Sequence, residues 1–181
     1  NSTDDSLAYI GTLDPSIFDK KIIEDDSGIY DAINKGISAA SSDYILLVHS
    51  GDTLERDVIK RFKNFAFASN FDVYYGCLNS QIGSKVICPK ENALKDIMHS
   101  MSIFHTATFI KRTTYLKYGL YSKFFRISGD FELLRRYYRN NVSFLFFPYP
   151  VCSMSKGGAS DKFINLKLMT SEYFYAIYDT P

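Results

Sequence analysis

Several absences narrow the reading of this sequence before any motif does. It has no tryptophan and only three histidines in 181 residues. No apolar run approaches the roughly 18 residues that a membrane-crossing helix needs. The longest, Tyr44 to Val48 and Ser143 to Phe147, have the length of strands. Such a chain does not span a bilayer, although it can rest on one. Charge bias is also missing, with 21 Lys and Arg against 20 Asp and Glu and a formal net charge of +1. A sequence-blind nucleic-acid binder would be far more basic, so nucleic acid is not an expected partner.

Cysteine is scarce. Cys77, Cys88 and Cys152 are odd in number and contain no CxxC pair, and no histidine stands at zinc-finger spacing. A structural zinc site is therefore not expected. The three are read as reduced thiols of a cytoplasmic protein. The sequons at Asn1 and Asn141 are read as chance matches, with no signal peptide in view. Repeats, low-complexity tracts and linkers are absent too, so residues 1–181 are expected to form a single domain.

What is present is ordinary for a soluble globular domain: 46% hydrophobic and 23% charged residues. The 14 tyrosines and 15 phenylalanines are many, and much of that excess lies in the last third, where it serves a core or an interface.

Along the chain, capping and acidic residues at the start predict a short helix over Ser6 to Thr12. Lys20 to Ile23 reads as a short strand before a polar turn. Ile29, Ile33, Ile37 and Ala40 recur at helical spacing and make one apolar stripe. Tyr30, Asp31, Asn34 and Lys35 then fall on the polar side. Tyr44 to Val48 is a continuous apolar run, the pattern of a strand covered on both faces, and it ends in His49-Ser50-Gly51-Asp52. A helix is predicted from about Glu55 to Ser69, a strand over Asp72 to Cys77, a hairpin excursion over Gln81 to Pro89, and a short helix over Ala93 to His99. A strand follows at Ala107 to Lys111, then a helix at Thr113 to Tyr118 stopped by Gly119, and another at Asp130 to Arg139. Ser143 to Phe147 is a strand, broken by Pro148 and Pro150. Ser155 to Ser160 reads as a Gly-rich loop. Leu166, Met169, Tyr173 and Ile177 mark a last amphipathic helix. Alternation of helices and buried strands implies an α/β fold with a mostly parallel sheet. In such sheets ligands bind beyond the carboxyl ends of the strands, which singles out His49 to Asp52.

Three constellations could carry chemistry. At Ser50-Gly51-Asp52, a carboxylate beside a glycine at a strand end suits Mg2+ or Mn2+, cations that keep several non-protein ligands. The plainer alternative is a turn in which Asp52 or Thr53 caps the next helix. Asp26 to Gly36 puts polar side chains on the first turns of a helix, where a phosphate or a sugar hydroxyl can bind; a solvated helix face is the alternative. Asp130 opens a helix among apolar neighbours, where partial burial favours a general base; it could equally be an N-cap. His105 lines a pocket or is structural, His49 sits at the mouth of the same site, and His99 looks like surface.

Taken together, the segments resemble family 2 glycosyltransferases of the GT-A fold, most closely the bacterial branch that builds surface polysaccharides. The matching stretches are Asn1 to Asp4, Glu24 to Ile37, Ser42 to Asp52, His105 to Arg112 and Gly119 to Arg136, in the family's order. Lys156 to Ser160 is similar to the family's Gly-Gly-Ser loop. The resemblance implies a GT-A type, Rossmann-like sheet flanked by helices and an inverting transferase (hexosyl or N-acetylhexosaminyl). It implies transfer from a nucleoside-diphosphate sugar, a UDP-sugar first, to a hydroxyl of a glycan or lipid-linked acceptor.

By the same resemblance Asp52 is the metal ligand for Mg2+ or Mn2+, with Ser50 in place of the first aspartate of the family's DXD-like motif. Asp130 is the catalytic base. Glu24, Asp26, Gly28, Tyr30, Asn34 and Lys35, with Ser50, Gly51 and His105, border the nucleotide and donor sugar, and Asp4 lies beside base and ribose. The family text opens with a βαβ portion before the stretch matched by Asn1 to Asp4. A unit of that kind is roughly 30 residues long, so an N-terminal piece is expected beyond this sequence, without which the strand at Tyr44 lacks a neighbour. Lipid-linked acceptors imply a cytoplasmic location at the inner face of the membrane. Lys162, Phe163, Lys167, Tyr173 and Phe174 could provide a peripheral membrane contact, or pack on the core or on a second subunit of a homo-oligomer. The competing readings are an inactive nucleotide-sugar-binding pseudoenzyme and a nucleotidyltransferase-like α/β enzyme.

Overall fold

A computed structural model describes residues 4–80, 85–154 and 165–178. The helices are α1 (Ser6–Thr12), α2 (Ile29–Ala39), α3 (Val58–Ser69), α4 (Ala93–Asp96), α5 (Arg112–Tyr118), α6 (Gly129–Arg139) and α7 (Leu166–Tyr178). The strands are β1 (Tyr44–Leu46), β2 (Thr53–Leu54), β3 (Val73–Ser80), β4 (Lys85–Ile87), β5 (Thr108–Lys111) and β6 (Phe144–Met154). They form one sheet in the order β1-β5-β3-β6-β2, with β4 paired to the end of β3. Helices and sheet are layered as expected, but the direction of pairing is not. Only β3 and β6 run parallel; β1–β5, β3–β5, β3–β4 and β2–β6 are antiparallel.

β3 is the buried centre of the sheet, since Val73, Tyr74 and Cys77 have at most 1% of their surface exposed. Its side chains alternate between two cores, as the two faces of a strand must. Val73 and Tyr75 point into a cluster with Tyr30, Ile37, Phe131 and Tyr137. Tyr74 and Leu78 point into a second cluster under α3, where Phe62 stacks on Phe109 at 3.8 Å and meets Tyr44, Tyr74 and Phe147 edge-on. In a chain without tryptophan, Tyr and Phe fill both cores.

Five local expectations need correction. The run at Tyr44 is not a strand fully covered on both faces: β1 is half-buried and has β5 as its single neighbour among the described residues. Lys20 to Ile23 forms no strand and is exposed. The helix after Asp52 starts at Val58, because Glu55 ties its N–H to the carbonyl of Val151 instead. Pro148 and Pro150 do not end β6. They sit at a register shift, where Tyr75 pairs with Phe146 and Cys77 with Pro150. A bulge has no ladder bond for a proline to break. Gly76 faces it, and a Cβ there would come within 2.7 Å of Val151 and 2.9 Å of the Tyr149 carbonyl. Lastly, Cys77 and Cys88 are joined by a disulfide, not reduced, because the antiparallel β3–β4 register (Leu78 opposite Ile87) sets them side by side. Cys152 remains a buried free thiol.

The last helix fares better. α7 packs on α6, with Tyr173 stacked on Phe131 at 4.4 Å and Ala176 buried. The expected Gly-rich loop at residues 155–160 and the opening residues 1–3 lie outside the described residues.

Candidate functional site

The register of β1 on β5, Leu46 opposite Phe109, carries the chain leaving β1 past the chain entering β5. His49 therefore meets His105, and their Nε2 atoms stand 3.1 Å apart. The Nδ1 of His105 is in turn 2.8 Å from Oδ2 of Asp130 at the head of α6. The His105 Nδ1–H donates to Asp130, and the two Nε2 atoms share a hydrogen bond whose donor depends on the tautomers. His49 is held below the ordinary histidine range, first by burial and then by the neighbouring His105.

The wall that bears Asp130 is tied from several directions. The Tyr30 hydroxyl donates to the Ile127 carbonyl at 2.6 Å and accepts from the Gly129 N–H at 2.8 Å. The Tyr30 ring stacks on Tyr121 at 5.3 Å. It lies so close to α6 that a Cβ on Gly129 would fall 2.7 Å from it, so glycine is required there. Burial, reinforced by the charge of Asp130, pushes the Tyr30 phenol far above its usual range. From the other side Glu172 of α7 accepts the N–H groups of Arg126, Ile127 and Ser128 at 2.8, 3.0 and 2.8 Å. The Asp130 side chain is 17% exposed, and its Oδ1 also accepts from the Phe131 N–H at 2.9 Å. Glu172 was not recognised in the sequence. The available signal was a carboxylate, a residue type rarely buried without partners, alone of its kind in an aromatic helix whose one other charge is Lys167.

The opposite wall is the turn after β1, closed by the Asp52 N–H on the His49 carbonyl at 3.0 Å. Between the walls lies a crevice of about 560 Å³, lined among others by Tyr30, His49, Ser50, Asp52, His105 and Asp130. Two carboxylates separated by 78 positions in the chain thus face one space, together with three more of the expected residues: Tyr30, Ser50 and His105. Gly51 lies between two lining residues.

Other expected residues serve the frame around the crevice. Asn34 exchanges two hydrogen bonds with the Tyr121 backbone, at 2.8 and 3.0 Å. Lys35 bonds the Asp25 carbonyl and pairs with Glu24 at 2.9 Å and Asp31 at 3.6 Å. Asp26 accepts from the N–H of Gly28, the N-cap of α2. These contacts order the loop that leads into α2. Asp4 accepts the Ser6 N–H at the exposed start of α1. Tyr30 does not lie on the polar side of α2. It is buried at 5% and stacked on Tyr121, whereas Ile29 is 49% exposed; further along the stripe Ile33 and Ile37 do pack on the core.

Among the described residues no group of three or more His, Cys, Asp or Glu side chains is placed to hold a metal ion. Asp52 offers one carboxylate. That donor set fits a cation that draws its other ligands from water and a bound diphosphate.

The fold and this crevice have counterparts. The model of the family described as "Glycosyl transferase family 2" matches residues 1–142. A PGL/p-HBAD biosynthesis glycosyltransferase of Mycobacterium bovis (strain BCG / Pasteur 1173P2) is 27% identical over 150 residues, which cover 77% of this chain. A glycosyltransferase of the same name from Mycobacterium tuberculosis (strain ATCC 25177 / H37Ra) matches equally. The chain spans 56% of the length of these relatives. In three dimensions it is similar to S. aureus TarS 1-349, with a TM-score of 0.69 at 17% identity over 98% of this chain and 51% of that one. TarS 1-349 in complex with UDP-GlcNAc superposes with a TM-score of 0.65 at 13% identity, over 98% of this chain and 59% of that one. The structural likeness shows the GT-A fold, and the match over most of its length shows that this chain belongs to glycosyl transferase family 2.

Proposed function

We propose that this chain carries the catalytic residues of an inverting glycosyltransferase. It would transfer a hexosyl or N-acetylhexosaminyl group from a UDP-sugar to a hydroxyl of a glycan or lipid-linked acceptor. The observation that carries the reading is the convergence of Asp52 and Asp130 on one crevice. Family membership supports transferase chemistry, and the UDP-GlcNAc complex of the TarS neighbour supports the nucleotide.

In this reading the acceptor hydroxyl approaches Asp130, whose carboxylate takes its proton. The acceptor oxygen forms a bond to the anomeric carbon as the bond from that carbon to the diphosphate oxygen breaks. Attack from the face opposite the leaving group inverts the centre. The His105 Nδ1–H holds the Asp130 carboxylate in one orientation, and reacting groups aligned in advance avoid a large entropic cost. Asp52 would hold Mg2+ or Mn2+, which when bound supplies positive charge for the departing diphosphate. Tyr30, Ser50, Gly51 and His105 border the donor, while Glu24, Asp26, Gly28, Asn34 and Lys35 shape the loop and helix behind it. Asp4 is proposed to reach base and ribose from the start of α1.

No helix among the described residues is long and apolar enough to cross a membrane. A cytoplasmic site at the inner face of the membrane suits a lipid-linked acceptor. The Cys77–Cys88 disulfide weighs against a reducing compartment, and counting thiols in the denatured, unreduced protein decides between the two.

The test is a thermal-shift screen of UDP-, GDP- and dTDP-sugars with and without Mn2+, followed by a donor-hydrolysis assay. Stabilisation by a UDP-sugar that grows with Mn2+, and slow release of UDP, are expected. Indifference to every nucleotide sugar refutes the proposal, and binding without turnover identifies a pseudoenzyme.

A further inference from the structure

Beyond Asp130, a second pocket of about 260 Å³ opens beside the crevice. The two share His105, Thr106, Ile127, Asp130 and Met154, so the proposed base stands at the boundary between them. Met101, Ile103, Phe104, Met169 and Tyr173 supply an apolar wall, and no lysine or arginine lines the pocket among the described residues. The crevice, by contrast, is lined by Arg126. Thioethers are soft and adaptable but accept hydrogen bonds only weakly. A ligand on that wall must turn C–H groups toward it.

Two hydroxyls in this pocket are out of balance. Thr106 and Ser128 are each 2% exposed, and both line the pocket. Neither Thr106 Oγ1 nor Ser128 Oγ has a hydrogen-bond partner, the only two such side-chain atoms buried among the described residues. Buried polar groups are nearly always paired, and an unpaired one is costly. Two of them flanking one small pocket next to the catalytic carboxylate point to a ligand that supplies the missing partners.

We infer that this pocket is the acceptor subsite and that it selects an uncharged sugar unit with an apolar face. Its hydroxyls bond Thr106 and Ser128, and its reacting hydroxyl meets Asp130. The inference rests on the transferase reading above. The pocket is smaller than the roughly 300–1,000 Å³ of cofactor-sized sites, so it takes one ring. A carboxylate on that ring would face Asp130 with no lysine or arginine among the described lining residues to offset it, and like charges at close range repel.

The probes are three methyl hexopyranosides alike except at C6: methyl, hydroxymethyl and carboxylate. Binding is measured by saturation-transfer NMR with UDP and Mn2+ present. Affinity should fall in that order, with the carboxylate at least about tenfold weaker than the hydroxymethyl compound. Met169→Trp fills the pocket from the partly exposed face of α7 and should abolish the signal. Ser128→Ala should weaken binding of the hydroxymethyl compound about two- to tenfold. It should leave the melting temperature equal or higher, because it removes a hydroxyl with no partner. UDP binding should be unchanged in both variants. Normal UDP binding with no glycoside signal, equal binding of the uronide, a signal that survives Met169→Trp, or destabilisation by Ser128→Ala overturns the inference and leaves the transferase reading standing. Loss of UDP binding in the unmodified protein removes both.

Discussion

The two carboxylates of the crevice are held by very different amounts of structure. Asp130 begins a helix whose approach is clamped by Glu172 through three backbone N–H groups and by Tyr30 through a carbonyl and an N–H. Asp52 lies on a short turn that leaves a half-buried edge strand and runs into a two-residue strand. A residue that must meet a substrate proton at hydrogen-bond distance benefits from rigid support. A residue that binds a cation through water and phosphate oxygens tolerates more freedom. The contrast explains why the heavily supported wall is the one that carries the proposed base.

That contrast can be broken first at Asp130. Asp130→Asn keeps the shape and removes the base, so turnover should fall by about 10²- to 10⁴-fold while UDP binding by calorimetry stays unchanged. Near-normal turnover ends the assignment. The next largest effect is expected at Glu172. Glu172→Ala strips three buried N–H groups of their acceptor, each worth on the order of 1 kcal/mol or more, so thermal or urea unfolding should show a loss of about 3 kcal/mol. Glu172→Gln keeps one oxygen and should lose less. If Glu172→Ala leaves stability untouched, the clamp described here is not a support.

Asp52 should behave in the opposite way. Asp52→Asn should weaken UDP binding about tenfold in Mn2+, hardly at all in EDTA, and leave the unfolding free energy within about 0.5 kcal/mol of the parent, as for substitutions on lightly packed turns. A large stability loss would show that the turn is as firmly built as the other wall. The smallest effect concerns His49, whose folded pKa lies below its ordinary value of about 6.5. The unfolded chain then binds the proton more readily than the folded one. Stability from this group is full above that pH and declines as the pH drops below about 6.5. Comparing melting temperatures at pH 7.5 and 5.5 should show a drop that His49→Gln reduces.

Much of this was legible in the chain because local signals agreed with their surroundings. α1, α5, α6 and α7 form within a residue or so of their expected spans, and Gly119 ends α5 as expected. The two acidic turns were found from their neighbours in sequence, Gly51 before Asp52 and the apolar residues after Asp130. What was not legible depended on partners far along the chain. The isoleucine stripe of α2 packs inward at Ile33 and Ile37, but at the first turn Tyr121, 91 residues away, captures Tyr30 and Ile29 stays exposed. β6 passes through two prolines because Gly76 on its neighbour leaves room for a bulge. The cysteine pair depends on a hairpin register that spacing alone does not show. The sheet's pairing directions likewise depend on where β5 inserts between β1 and β3.

Tyr30 has one further consequence. A single phenol oxygen from α2 bonds the Ile127 carbonyl and the Gly129 N–H at the entry of α6, and the ring fills the gap where Gly129 has no side chain. The start of α2 is thereby tied to the start of α6. If the cleft narrows around a bound molecule, the Asp52 turn, which has no comparable clamp among the described residues, is the side expected to shift toward it.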